Sequence, residues 1–96
     1  MGPQGQQQVQ VNVDKGDTKG VYSNLIQIQH SQEEFCLDFF NIFPPIGALT
    51  VRVVISLGHL KRMISALQDN LKKYEGKFGN VTEAKEPEKP TMGFGV

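Results

Sequence analysis

The chain has 96 residues, with 10 basic and 10 acidic side chains and no formal net charge at pH 7, so it holds one domain with tails and projects no global field to draw nucleic acid or an anionic membrane. A single cysteine, Cys36, excludes an internal disulfide, and no metal-ligand spacing surrounds it. No signal peptide or bilayer-spanning apolar run is present, so a soluble cytoplasmic protein in a reducing compartment is expected, without cofactor or membrane partner.

Apolar residues make up 39% of the chain and concentrate between Val21 and Phe78. The first stretch, residues 1–8, is Gln-rich, with too little apolar content to order itself. Val9, Val11 and Val13 then alternate with polar residues, which predicts a short edge strand. A loop carrying Gly16 and Gly20 follows. The next strand runs over residues 22–30, with Tyr22, Asn24, Ile26, Ile28 and His30 on one face, and Ser31–Glu33 forms a hairpin connection. Over residues 34–43, Phe35, Leu37, Phe39 and Phe43 point one way and Cys36, Asp38, Phe40 and Ile42 the other. Pro44-Pro45 ends that strand, since proline donates no ladder bond, and Gly47 completes the turn. In the strand over 49–55, Leu49, Val51, Val53 and Ile55 share one face, with Thr50, Arg52 and Val54 on the other.

The helix expected from Ser56 to Gly79 organises the rest. Leu60, Met63, Ile64, Leu67, Leu71, Tyr74 and Phe78 recur at offsets of three and four, one apolar stripe at about 3.6 residues per turn. Ser56 caps its start, Gly76 or Gly79 closes its end, and Lys72, Lys73 and Lys77 suit the negative end of its dipole. Residues 80–96 are rich in Lys, Glu and Pro and should be disordered. The fold class is therefore α+β: three or four antiparallel strands closed by one long amphipathic C-terminal helix, as a single domain over residues 9–79.

One helix covers one sheet face, and the set Phe35, Leu37, Phe39, Leu49, Val51, Val53 and Ile55 matches its stripe. Tyr22, Ile26, Ile28, Cys36, Phe40, Ile42 and Val54 would then lie on a bare opposite face, which monomers rarely tolerate. A second copy or another partner should cover it, and a homodimer is the commoner solution.

The order Tyr22-Ser23-Asn24, His30-Ser31, Glu34-Phe35, Leu37-Asp38-Phe39, Arg52, His59, Lys61, Leu67, Asn70, Lys73-Tyr74-Glu75 and Phe78-Gly79 resembles a small bacterial and archaeal family, domain of unknown function 3467. The resemblance implies a small β-rich domain closed by one helix and brings no known activity. It also implies an association with the transcription machinery, through genes for the large RNA polymerase subunits. Where that family has Pro-Glu at the first helical turn, this chain has Leu57-Gly58, and the glycine costs about 1 kcal/mol of helix propensity. The outline of strands followed by a long helix is also similar to the SecB-type export chaperones.

Candidates for chemistry are few. His59 near the helix start suits a proton carrier or an anion contact, but no second ligand or nucleophile stands at a telling spacing, so a structural role is expected; His30 is weaker still. Pairing about Pro45 sets Asp38 opposite Arg52, which favours an ion pair over a general acid. Cys36 has no neighbour to activate it. Lys61, Arg62, Lys72 and Lys73 form a basic helix face that would contact a nucleic-acid backbone, yet Gln68, Asp69 and Glu75 interleave as on a solvated face. The aromatic-bearing end, residues 92–96, suits a docking peptide. No catalytic, cofactor or metal residues are assigned. The expectation is a non-enzymatic interaction or oligomerisation module, with an accessory protein of the transcription machinery and a SecB-like holdase as the alternatives.

Overall fold

A computed structural model describes residues 7–87 of the chain. Most of the Gln-rich arm, the far part of the tail and the docking end proposed for it lie outside the described residues. Three antiparallel strands, β1 (Leu25–His30), β2 (Glu34–Phe43) and β3 (Ile46–Ser56), form one sheet in the order β1-β2-β3, followed directly by the helix α1 (Leu57–Phe78). The α+β class and the long C-terminal helix are as the periodicities require.

The segment before β1 departs from expectation. Residues 7–14 form no strand, and Val9, Val11 and Val13 are exposed. Alternation needs a partner ladder to become a strand, and this segment has none, so its valines have no face to bury. The loop after it contains a 3-10 turn, Lys15–Thr18, steadied by the Asp14 backbone N–H donating to the Asp17 carboxylate. β1 begins at Leu25 rather than Tyr22, whose side chain is exposed.

Both hairpins are tight. Ser31 Oγ accepts from the backbone N–H groups of Glu33 and Glu34, and the Ser31 N–H donates to the Glu34 carbonyl, which shapes the first turn. The second turn is the Pro44-Pro45 pair, joined by a cis peptide bond. Gly47 is not part of that turn. It pairs with Ile42 inside the ladder, where a Cβ would stand 2.7 Å from Ile42 Cδ1. A register shift between Phe39 and Phe40 leaves Thr50 as the extra residue of β3, and its hydroxyl donates to the Phe39 carbonyl.

The register also redistributes the faces. Ile26 pairs with Phe39 and Ile28 with Leu37, so both isoleucines share the face of Phe35, Leu37, Phe39, Val51 and Val53. They do not join Cys36, Phe40 and Ile42, as equal treatment of the two alternations suggested. The latter face instead receives Leu25, which pairs with Phe40. Phe40, Ile42 and Leu25 form the buried core cluster, so Phe40 and Ile42 are core and not a bare patch.

α1 begins where Ser56, in extended conformation, accepts the His59 backbone N–H on its hydroxyl. It ends at Gly79, whose φ of 101° and ψ of 167° lie in a region that essentially only glycine occupies. The helix approaches β2 and β3 but not β1, and none of its residues is buried. Leu60 and Met63 are half-buried; from Ile64 onward the apolar stripe faces solvent.

Candidate interaction surface

Asp38 and Arg52 meet across the second hairpin because the extra residue Thr50 shifts the register by one. Arg52 Nε donates to Asp38 Oδ1 at 2.6 Å and Nη2 to Oδ2 at 2.8 Å, a two-pronged charge-assisted pair. These bonds hold the Asp38 carboxyl below its usual range, against the desolvation that would raise it. The Asp38 side chain is 2% exposed and that of Arg52 50%, so the carboxylate is covered while the guanidinium opens to water. The cover is local, from Arg52 and the adjoining strands of a sheet one layer thick. The carboxyl has its bonding satisfied and its charge neutralised, which leaves no group free to exchange protons near neutral pH.

Cys36 stands beside it, its thiol donating to Asp38 Oδ1 at 3.6 Å. Burial first and the Asp38 charge second push the thiol pKa up, opposite to what a thiolate nucleophile needs. An open depression of about 210 Å³ at the hairpin end is lined by Gln29, His30, Ser31, Glu34 and Cys36. It brings His30 and Cys36 to one place, but the His30 ring stacks at a tilt on Phe35, with centroids 5.3 Å apart, and the thiol is turned to Asp38. Among the described residues no group of three or more His, Cys, Asp or Glu is placed to hold a metal ion, and no helix is long and apolar enough to cross a membrane.

His59 sits in the first turn of α1, where Arg62 Nη2 lies 3.2 Å from its Nδ1. A guanidinium only donates, so this contact is a hydrogen bond when Nδ1 is the accepting ring nitrogen. The basic residues follow the helix in two rows: Lys61 with Lys72, and Arg62 with Lys73, each pair separated by about three turns. Asp69 lies between the rows, and all four cations are exposed.

The larger feature is apolar. Ile26, Ile28, Val51 and Val53 are each more than a third exposed on one sheet face. Leu67 and Phe78 of α1 are 62% and 65% exposed, and Ile64, Leu71 and Tyr74 are also open. Among the described residues the stripe from Ile64 onward therefore has no cover, and the sheet face is open at Ile26 and Ile28 although Leu37 on it is buried. Tyr22 is exposed outside the sheet and adjoins neither by strand pairing.

Two structural sites were not visible as such in the residue pattern. Asn24 extends the ladder beyond β1 with its side chain: Nδ2 donates to the Ile42 carbonyl and Oδ1 accepts the Ile42 N–H, both at 2.9 Å. Ser23 Oγ adds bonds to the Leu25 and Phe40 carbonyls. A polar pair directly before an apolar strand was the available signal. Asn24→Ala would leave two backbone groups of Ile42 unpaired and is expected to cost about 1–3 kcal/mol, read from urea melts; Asn24→Asp, which cannot donate, should retain only part of the stability. The second site is the helix exit, where Glu75 Oε2 accepts the Val81 N–H at 2.9 Å as Gly79 turns the chain.

The family model described as "Protein of unknown function (DUF3467)" matches residues 1–83, most of the chain. No match was found among curated proteins or among solved structures.

Proposed function

The chain belongs to this family of proteins of unknown function, and from that premise we propose that it acts as a non-enzymatic, self-associating interaction module. The observation that carries the reading is a helix of 22 residues with an apolar stripe and no buried residue. Contiguous apolar surface of that extent is uncommon on a monomer, and twofold pairing is the commonest way to remove it. A second copy fits better than a strongly charged partner, because the chain carries no net charge and two copies meet without net repulsion. The covered Asp38 carboxylate and the raised thiol of Cys36 support a scaffold over an enzyme.

Light scattering of the full chain at micromolar concentration is expected to give twice the chain mass. Leu67→Asp, at the middle of the exposed stripe, is expected to weaken association by about 100-fold or more, since burying each leucine contributes about 1.5–3 kcal/mol and symmetry counts it twice. A wild-type chain that stays monomeric throughout that range would sink the proposal.

A further inference from the structure

The apolar stripe of α1, half-buried at Leu60 and exposed from Ile64 onward, has a finer order than amphipathicity requires. Leu57, Leu60, Ile64, Leu67, Leu71, Tyr74 and Phe78 alternate at spacings of three and four without a break. This is the seam of a two-stranded coiled coil, with Leu57, Ile64, Leu71 and Phe78 at a and Leu60, Leu67 and Tyr74 at d. We infer that two copies of the chain pair through their α1 helices in antiparallel orientation, an inference that rests on the self-association proposed above.

Charge and size decide the orientation. Lys61, Gln68 and Glu75 occupy the e positions, Met63, Asn70 and Lys77 the g positions. A parallel pair would set Met63 against the partner's Gln68 and Asn70 against the partner's Glu75, with no opposite charges in contact. It would also stack each aromatic on its own copy. The antiparallel pair, centred between Gln68 and Asn70, places Lys61 against the partner's Glu75, and symmetry repeats the contact. Gln68 and Asn70 then each meet their own copy, two neutral pairs able to hydrogen-bond. In the seam, Leu60 faces the partner's Phe78, Ile64 the partner's Tyr74 and Leu67 the partner's Leu71, so each aromatic lies against a smaller aliphatic. Opposed helix dipoles add to the preference.

The test is a charge swap read by sedimentation equilibrium on the full chain. Lys61→Glu and Glu75→Lys should each weaken the dimer by about tenfold, as two symmetric attractions become repulsions. The double variant K61E/E75K should regain wild-type affinity. Residues 61 and 75 of one helix are about 21 Å apart, so rescue requires the partner chain. Glu75→Lys also removes the acceptor of the Val81 N–H, whereas Lys61→Glu disturbs no such bond and, near the helix start, suits the dipole. Lys61→Glu with unchanged affinity, or a double variant no tighter than the singles, overturns the antiparallel arrangement while the dimer itself stands. A monomeric wild type overturns the self-association beneath it.

Discussion

Arg52→Ala is expected to lower the thermal midpoint much further than Asp38→Ala. The two side chains form one pair, but they differ in what each leaves behind. Without Arg52, the carboxylate loses both charge-assisted bonds, its neutralising partner and part of its cover, and keeps only the Cys36 thiol to donate to it. Without Asp38, a half-exposed guanidinium turns to water at little cost. Comparable damage from both singles, which a fully buried pair would give, is therefore not expected. Replacing both by leucine should recover much of the Arg52→Ala loss.

The pH dependence has a definite sign. In the wild type the folded-state pKa of Asp38 lies below the unfolded value of about 3.9, so its contribution is complete above that value and is lost as pH falls through the folded pKa. In Arg52→Ala both lowering effects of Arg52 are gone, leaving the burial that raises the folded pKa against the Cys36 thiol bond that lowers it, so less stability is lost on protonation as pH falls. The gap between the two melting curves should narrow from about pH 7 towards about pH 3. Equal losses in the two singles, or a gap that widens in acid, would contradict the one-sided burial of the pair.

Phe40→Ala should rank beside it. Phe40 is 4% exposed and packs in the buried cluster with Leu25 and Ile42. Truncating a buried phenylalanine costs about 3–5 kcal/mol, a large share of the stability of so small a domain. The loss should appear in urea melts as a shifted midpoint at every protein concentration, because the cavity opens within one chain. Phe43→Ala, at a position 65% exposed, should move the midpoint little. Were Phe40 instead an interface residue, its truncation would alter the dissociation constant and spare the melt of the separated chain.

Three kinds of information were legible in the residues themselves. Alternation over 34–43 and spacing of three and four over 60–78 specify a strand and a helix, because those periods are properties of the backbone. Ser56 and Gly79 mark the helix ends through the bonds and dihedrals that only such residues supply. Pro44-Pro45 forces a tight reversal, but counting outward from it sets Asp38 opposite Val51, and only the extra residue Thr50 shifts the register by one and brings Arg52 there. The contents of each face were decided elsewhere. Alternation says that Ile26 and Ile28 share a side of β1, but not which side of β2 that matches, since a slip of one residue exchanges the faces. The local Ser31 turn and the Asn24 side chain bonded to Ile42, far along the chain, together settle that register. Tertiary packing alone likewise decides which apolar groups are covered: Phe40 and Leu25 find each other across the ladder, while the α1 stripe from Ile64 onward, equally apolar in the residue pattern, meets no surface among the described residues.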